Sequence, residues 1–162
     1  MDLAFLRNVP LFEGLSNEQL QTIANVTITR TFNKDGVIIL AEEEGDSLFI
    51  IDSGQVKVSI VSEDGREVIL SLLGPDAVFG ELSLLDGKPR SANVIATEET
   101  SLIMLRRPDF VQILFKMPQI ATALLAELAS RLRKTDRQIE GLALLDVTSR
   151  ISETLLQLAG EQ

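Results

Sequence analysis

Residues 79–92, Phe-Gly-Glu-Leu-Ser-Leu-Leu-Asp-Gly-Lys-Pro-Arg-Ser-Ala, gather the side chains of this chain that can do chemistry. Glu81 is an acceptor of hydrogen bonds when ionised. Arg90 is a planar, permanently charged fork that grips a phosphate through parallel donors, and Ser91 adds a hydroxyl. Gly80 lets a ligand approach the backbone. Leu82-Ser83-Leu84-Leu85 is predicted to form a short helix whose first N–H groups lack helical partners and face an anion. An acceptor and an anion receptor held at fixed separation describe a receptor for a ribose phosphate. The same residues also read as an ordinary strand, turn and strand in which Arg90 pairs with Glu81.

The rest of the composition narrows the chemistry. The chain of 162 residues has no His and no Cys. That removes imidazole bases, thiol nucleophiles, disulfides, His-dependent serine triads and nearly every transition-metal site. The expectation is a binding protein that is not an enzyme and holds no metal. Glu42-Glu43-Glu44 with Asp46 lacks the alternating oxygen ligands of a calcium loop and reads as a solvated turn. A net charge of −9 repels nucleic acid overall, so DNA contact would need a local basic surface. Arg131, Arg133, Lys134 and Arg137 are interspersed with Glu127, Asp136 and Glu140 and read as an exposed charged face. No signal peptide and no run of about 18 apolar residues is present, so no membrane partner is expected. The absence of Cys fits a cytoplasmic setting.

Placing Glu81 against Arg90 requires a scaffold of short strands and turns. Before it, Ser16 and Gln19 form a capping box, Leu15 and Leu20 suit a hydrophobic staple, and a helix is predicted through about Ile23. From Thr27 the period changes. Glycines at 36, 45, 54, 65, 74, 80 and 87 separate β-branched runs at 37–40, 47–52, 55–61 and 67–73. Residues 55–60 alternate polar and apolar as a half-buried antiparallel strand does. Asp64-Gly65 marks a hairpin. Residues 92–97 and 101–105 continue the pattern. The predicted class is mainly β with helices, a β-sandwich or β-barrel, and a jelly roll would close its edges economically.

After Arg107 the strands end. Pro108 opens a helix, Pro118 breaks it, and a long helix is predicted from Ile120 to about Leu145. Leu125, Leu128, Leu132, Thr135, Ile139 and Leu142 step 3, 4, 3, 4, 3 along it. That narrow a/d seam favours a parallel homodimer, because a helix lying on its own domain shows a wider apolar stripe. Gly141 is expected to loosen the helix, and Asp146 to cap a new one bearing Ile151, Leu155 and Leu158.

The residues at 79–84 and 89–92, with Gly45-Asp46-Ser47-Leu48-Phe49-Ile50-Ile51 and Gly54-Gln55-Val56 upstream, resemble the cyclic-nucleotide-binding domains of bacterial regulators. Residues 142–151 resemble the hinge of the catabolite activator family. The resemblance implies a double-stranded β-helix, or jelly roll, with a long C-terminal dimerisation helix. It implies a ligand-sensing domain at 1–118, the dimerisation helix at 119–145, and a hinge with the first helix of a truncated DNA-binding domain at 146–162.

It also assigns roles. Glu81 accepts from the ribose 2′-hydroxyl, Arg90 pairs with the cyclic phosphate, and Ser91 with the backbone around Gly80, Leu82 and Ser83 completes the cradle. Thr135 meets the purine, Arg131 helps hold the sugar and the glutamate, and Asp136 stands where the family usually has a serine that the partner contributes. The implied function is an allosteric sensor of cyclic AMP in a dimeric transcription regulator. The alternatives are cyclic GMP or another ligand, or a dimerisation module without nucleotide. A carboxylate at 136 only accepts, and so suits the paired donors of guanine at least as well as the amino group of adenine. DNA binding is expected only through the missing domain.

Overall fold

The computed structural model describes residues 3–160, with side chains described for 3–144. Two compact units are present, Met1–Ala123 and Leu124–Gln162.

The first unit opens with α1 (Leu3–Asn8), a 3₁₀ turn at Pro10–Phe12 and α2 (Asn17–Ala24). The start of α2 is fixed by local chemistry. Ser16 Oγ accepts from the Gln19 amide at 3.3 Å, and the Gln19 side chain accepts from the Ser16 amide at 2.9 Å. Two donors at a helix start are thereby satisfied. Ser16→Ala is expected to cost about 1 kcal/mol and to lower the melting temperature by about 3 °C, as read by thermal denaturation.

Eight strands follow: β1 (Thr27–Phe32), β2 (Val37–Ile39), β3 (Ser47–Ser53), β4 (Val56–Val61), β5 (Glu67–Leu73), β6 (Val78–Phe79), β7 (Asn93–Ala96) and β8 (Thr100–Arg106). A short helix, α3 (Glu81–Asp86), lies between β6 and β7, and α4 (Arg107–Lys116) follows β8. The strands form two four-stranded antiparallel sheets, ordered β1-β8-β3-β6 and β2-β7-β4-β5. This is the jelly roll predicted from the sequence.

The core lies between the sheets. Phe49, Ile51, Phe79 and Leu102 come from the first sheet and Ile39, Val56 and Val94 from the second. The rings of Phe49 and Phe79 stack at 5.3 Å. Leu48 and Ile50 are equally buried on the other face of β3. Each fully buried aliphatic side chain contributes about 1.5–3 kcal/mol of transfer free energy. Together they make β3 the rigid strand from which the neighbouring loop is hung.

The alternation predicted for residues 55–60 fails beyond Val58. The ladder between β4 and β5 shifts register between Val58 and Ser59, pairing Val58 with Ser71 and Ser59 with Ile69. Leu70 is the extra residue of this bulge, which bends and twists the ribbon. Ser59 is buried and donates to Glu67 at 2.8 Å, whereas Ile60 is exposed. Lys57 pairs with the same carboxylate at 2.8 Å and draws its pKa below the usual range, with Ser59 adding to the effect.

The last helix, α5, spans Pro118–Gly160. It begins at the proline itself, two residues before the predicted start, because a proline at the first helical position loses no hydrogen bond. The backbone stays helical through Gly141 and Asp146, contrary to the predicted interruption. One glycine costs only about 1 kcal/mol relative to alanine, and the leucines and alanines beside it favour helix. The cap predicted at Asp146 and the face of Ile151, Leu155 and Leu158 concern side chains outside the described residues. Among the described residues, no single helix is long and apolar enough to cross a membrane.

Candidate ligand-binding site

β6 delivers the chain into the cassette. Phe49 pairs with Phe79 and Ile50 with Val78, so β3 fixes where β6 ends. Gly80 then adopts φ +80°, a left-handed conformation that glycine enters without steric cost. α3 starts at the next residue, one position earlier than predicted, with Glu81 as its first member. Glu81, Ser83 and Leu84 face inward, whereas Leu82 and Leu85 are exposed. Gly87, at φ +70°, closes the helix, its amide donating a hydrogen bond to the Ser83 carbonyl at 3.1 Å.

Arg90 returns to this helix from the far side of the loop. Its backbone is clamped twice: the Arg90 amide donates to the Glu43 carbonyl at 2.8 Å, and the Glu42 amide donates to the Arg90 carbonyl at 2.9 Å. Its guanidinium reaches inward. Nη1 donates to the Gly80 carbonyl and Nη2 to the Ser47 carbonyl, each at 2.7 Å. The side chain is almost wholly buried. Burial pushes its pKa down, while the carboxylates of Asp46 and Glu81 oppose that shift. Carbonyl oxygens orient the fork but do not neutralise it, so the arrangement presents a fixed, desolvated cation beside the start of α3.

The structure therefore brings Gly80, Glu81, Ser83 and Arg90 into one cradle. Leu82 and Ser91 adjoin it in sequence with exposed side chains. Arg131, Thr135 and Asp136 belong to the second unit. There the Thr135 hydroxyl donates to the Arg131 carbonyl at 3.1 Å, and Arg131 Nε donates to Glu127 at 2.9 Å. Thr135 and Asp136 are exposed. Among the described residues, no group of three His, Cys, Asp or Glu side chains is placed to hold a metal ion.

Two contributors were not assigned a site role from the residues alone. The carbonyl of Ser47 holds the fork, and Gly45 makes the space for it. A Cβ on Gly45 would lie 2.5 Å from Arg90 Nε, 2.6 Å from its Cζ and 2.7 Å from Ser83 Cβ. The only sequence signal was Gly45's place in the stretch that resembles the family. Gly80 is similarly constrained, its Cβ falling 2.8 Å from Arg90 Nη1.

Residues 29–117, nearly all of the sandwich with its cassette, match the cyclic nucleotide-binding domain family. The chain belongs to that family. The "Cyclic AMP receptor protein" of Thermus thermophilus is 34% identical over 153 residues, which are 94% of this chain and 71% of the relative. The crystal structure of Thermus thermophilus catabolite activator protein superposes with a TM-score of 0.76 at 36% identity, covering 83% of this chain and 63% of that one. A regulatory subunit of a cAMP-independent protein kinase A from Trypanosoma cruzi, bound to guanosine, has a TM-score of 0.68 at 29% identity, covering 75% and 43%.

Proposed function

We propose that this chain is the allosteric sensor of a dimeric transcription regulator in the cytoplasm, with cyclic AMP as its effector and no catalytic turnover. The observation that carries this reading is the buried Arg90, fixed by two carbonyls beside the buried Glu81. The fork receives the cyclic phosphate and Glu81 accepts from the ribose hydroxyl. Gly80, Leu82 and Ser83 supply backbone, and Ser91 supplies a hydroxyl. The base-binding role of Thr135, the supporting role of Arg131, and the contact from Asp136 of the partner subunit come from the family resemblance. A ligand that touches both the cradle and the paired helices binds one arrangement of the dimer better than another, which is the requirement for allosteric control.

The choice of cyclic AMP follows the Thermus cyclic AMP receptor. A second reading, cyclic GMP, is favoured by the carboxylate at Asp136, which only accepts, and by the guanosine-bound relative. Titration calorimetry with both nucleotides decides between them. Cyclic AMP is expected to bind saturably and more tightly than cyclic GMP, and to raise the melting temperature. Absence of heat and of thermal shift with either nucleotide at millimolar concentration overturns the sensor reading for both.

A further inference from the structure

The second unit carries a charge pattern that the nucleotide-binding roles proposed for its residues do not account for. Along α5, Leu125, Leu132 and Ile139 take the a positions of a heptad and Leu128, Thr135 and Leu142 the d positions. Leu125, Leu132, Ile139 and Leu142 are all exposed. In the last of these heptads Ile139 at a with Leu142 at d suits a parallel pair of helices, whereas the other two a positions are Leu. The flanking g and e positions then become specific. Leu124, Arg131 and Gln138 fall at g, and Ala129, Asp136 and Ala143 at e. In a parallel, in-register pair, a g residue faces the e residue five positions on in the partner. Arg131 and Asp136 are the only charged pair so related, and their charges are opposite.

We propose that Arg131 and Asp136 of the partner subunit form an ion pair across a parallel helix dimer and fix its orientation and register. The proposal rests on the dimer reading above and adds the contacts that specify it. Within one helix the two residues lie about 140° apart around the axis, so they do not face each other there. Two-fold symmetry repeats the pair on the other side of the seam. Arg131 meets Glu127 of its own helix through Nε, and a guanidinium has five N–H donors in a fork, so an acceptor across the seam is compatible with that contact. Asp136 has two oxygens, so an ion pair does not preclude an acceptor role toward a base. A second copy is the fitting partner because the charge at g is matched by the charge at e of the same sequence.

Sedimentation equilibrium at low ionic strength tests the pair. Wild type is expected to dimerise. Asp136→Arg and Arg131→Glu each place two like-charge contacts in the dimer and should raise its dissociation constant about tenfold. The double variant Arg131→Glu with Asp136→Arg should recover most of that loss. Arg133→Glu, at a b position away from the seam, should leave dimerisation unchanged and controls for the net-charge change of Arg131→Glu, as Glu127→Arg, at a c position, does for that of Asp136→Arg. Single reversals no different from these controls, or a double variant as weak as the singles, overturn the ion pair while a dimeric wild type leaves the dimer reading standing. A monomeric wild type overturns both.

Discussion

Replacing Arg90 with alanine should weaken cyclic-nucleotide binding by about two to three orders of magnitude. Truncating one member of a buried, hydrogen-bonded charge pair costs about 2–5 kcal/mol, which is roughly thirtyfold to several thousandfold in affinity. Arg90 sits well inside that range because no other cationic side chain among the described residues of the cradle replaces it. The residues that order it are the Gly80 and Ser47 carbonyls, both 2.7 Å from the fork, and these are acceptors that repel an anion once the fork is gone. Arg90→Lys should rescue little. A lysine offers one compact ammonium in place of a planar fork and does not reproduce both carbonyl contacts and a bidentate phosphate contact together. Calorimetry with cyclic AMP reads the effect. An affinity for Arg90→Ala equal to wild type would show that the phosphate sits elsewhere.

The second large effect is expected at Gly45, which contributes no functional group. Gly45→Ala should lower affinity about tenfold or more and destabilise the fold by about 1–3 kcal/mol, the usual cost of overpacking. The new Cβ would lie 2.5 Å from Arg90 Nε and 2.7 Å from Ser83 Cβ. Neither neighbour yields without loss. The guanidinium is pinned by two carbonyls, and Ser83 is part of α3. The loop itself is tied by the Glu42 and Arg90 amides and by the Arg107 amide, which donates to the Asp46 carbonyl at 2.7 Å. The mechanism is checked by a double-mutant cycle. If Gly45 acts only by leaving Arg90 in place, adding Gly45→Ala to Arg90→Ala should cost almost no further affinity. Fully additive losses would show that Gly45 serves the ligand by another route.

Local chemistry made much of this protein readable in one dimension. The capping box at Ser16 and Gln19 is a contact between residues three apart, so sequence spacing and spatial contact are the same fact. The hairpin at Asp64-Gly65 is similar: Gly65 takes φ +81° and its amide donates to the Ser62 carbonyl at 2.8 Å. The cassette was legible because its acceptor, turn glycine and arginine lie within one stretch of chain. The strands were legible because β-branched runs between glycines have few other uses. The exposed heptad on α5 was legible as a period.

Most of what the sequence left undecided depends on packing between residues distant along the chain. The Ser47 carbonyl that aims Arg90 comes from 43 residues away. Gly45 is required by space and carries no positive φ, so no local conformational rule singles it out. The Leu70 bulge turns Ser59 inward and Ile60 outward against a clean alternation, because the ladder to the neighbouring strand sets the face. Gly141 stays helical because its local cost is smaller than the helix-forming tendency around it. The sequence alone thus determined the jelly roll and pointed to the candidate residues of the cradle and the heptad period on α5, since these follow from chemistry and periodicity that are local. Only the tertiary structure decided how Arg90 is held, since its position depends on a carbonyl and a missing side chain that folding brings to it.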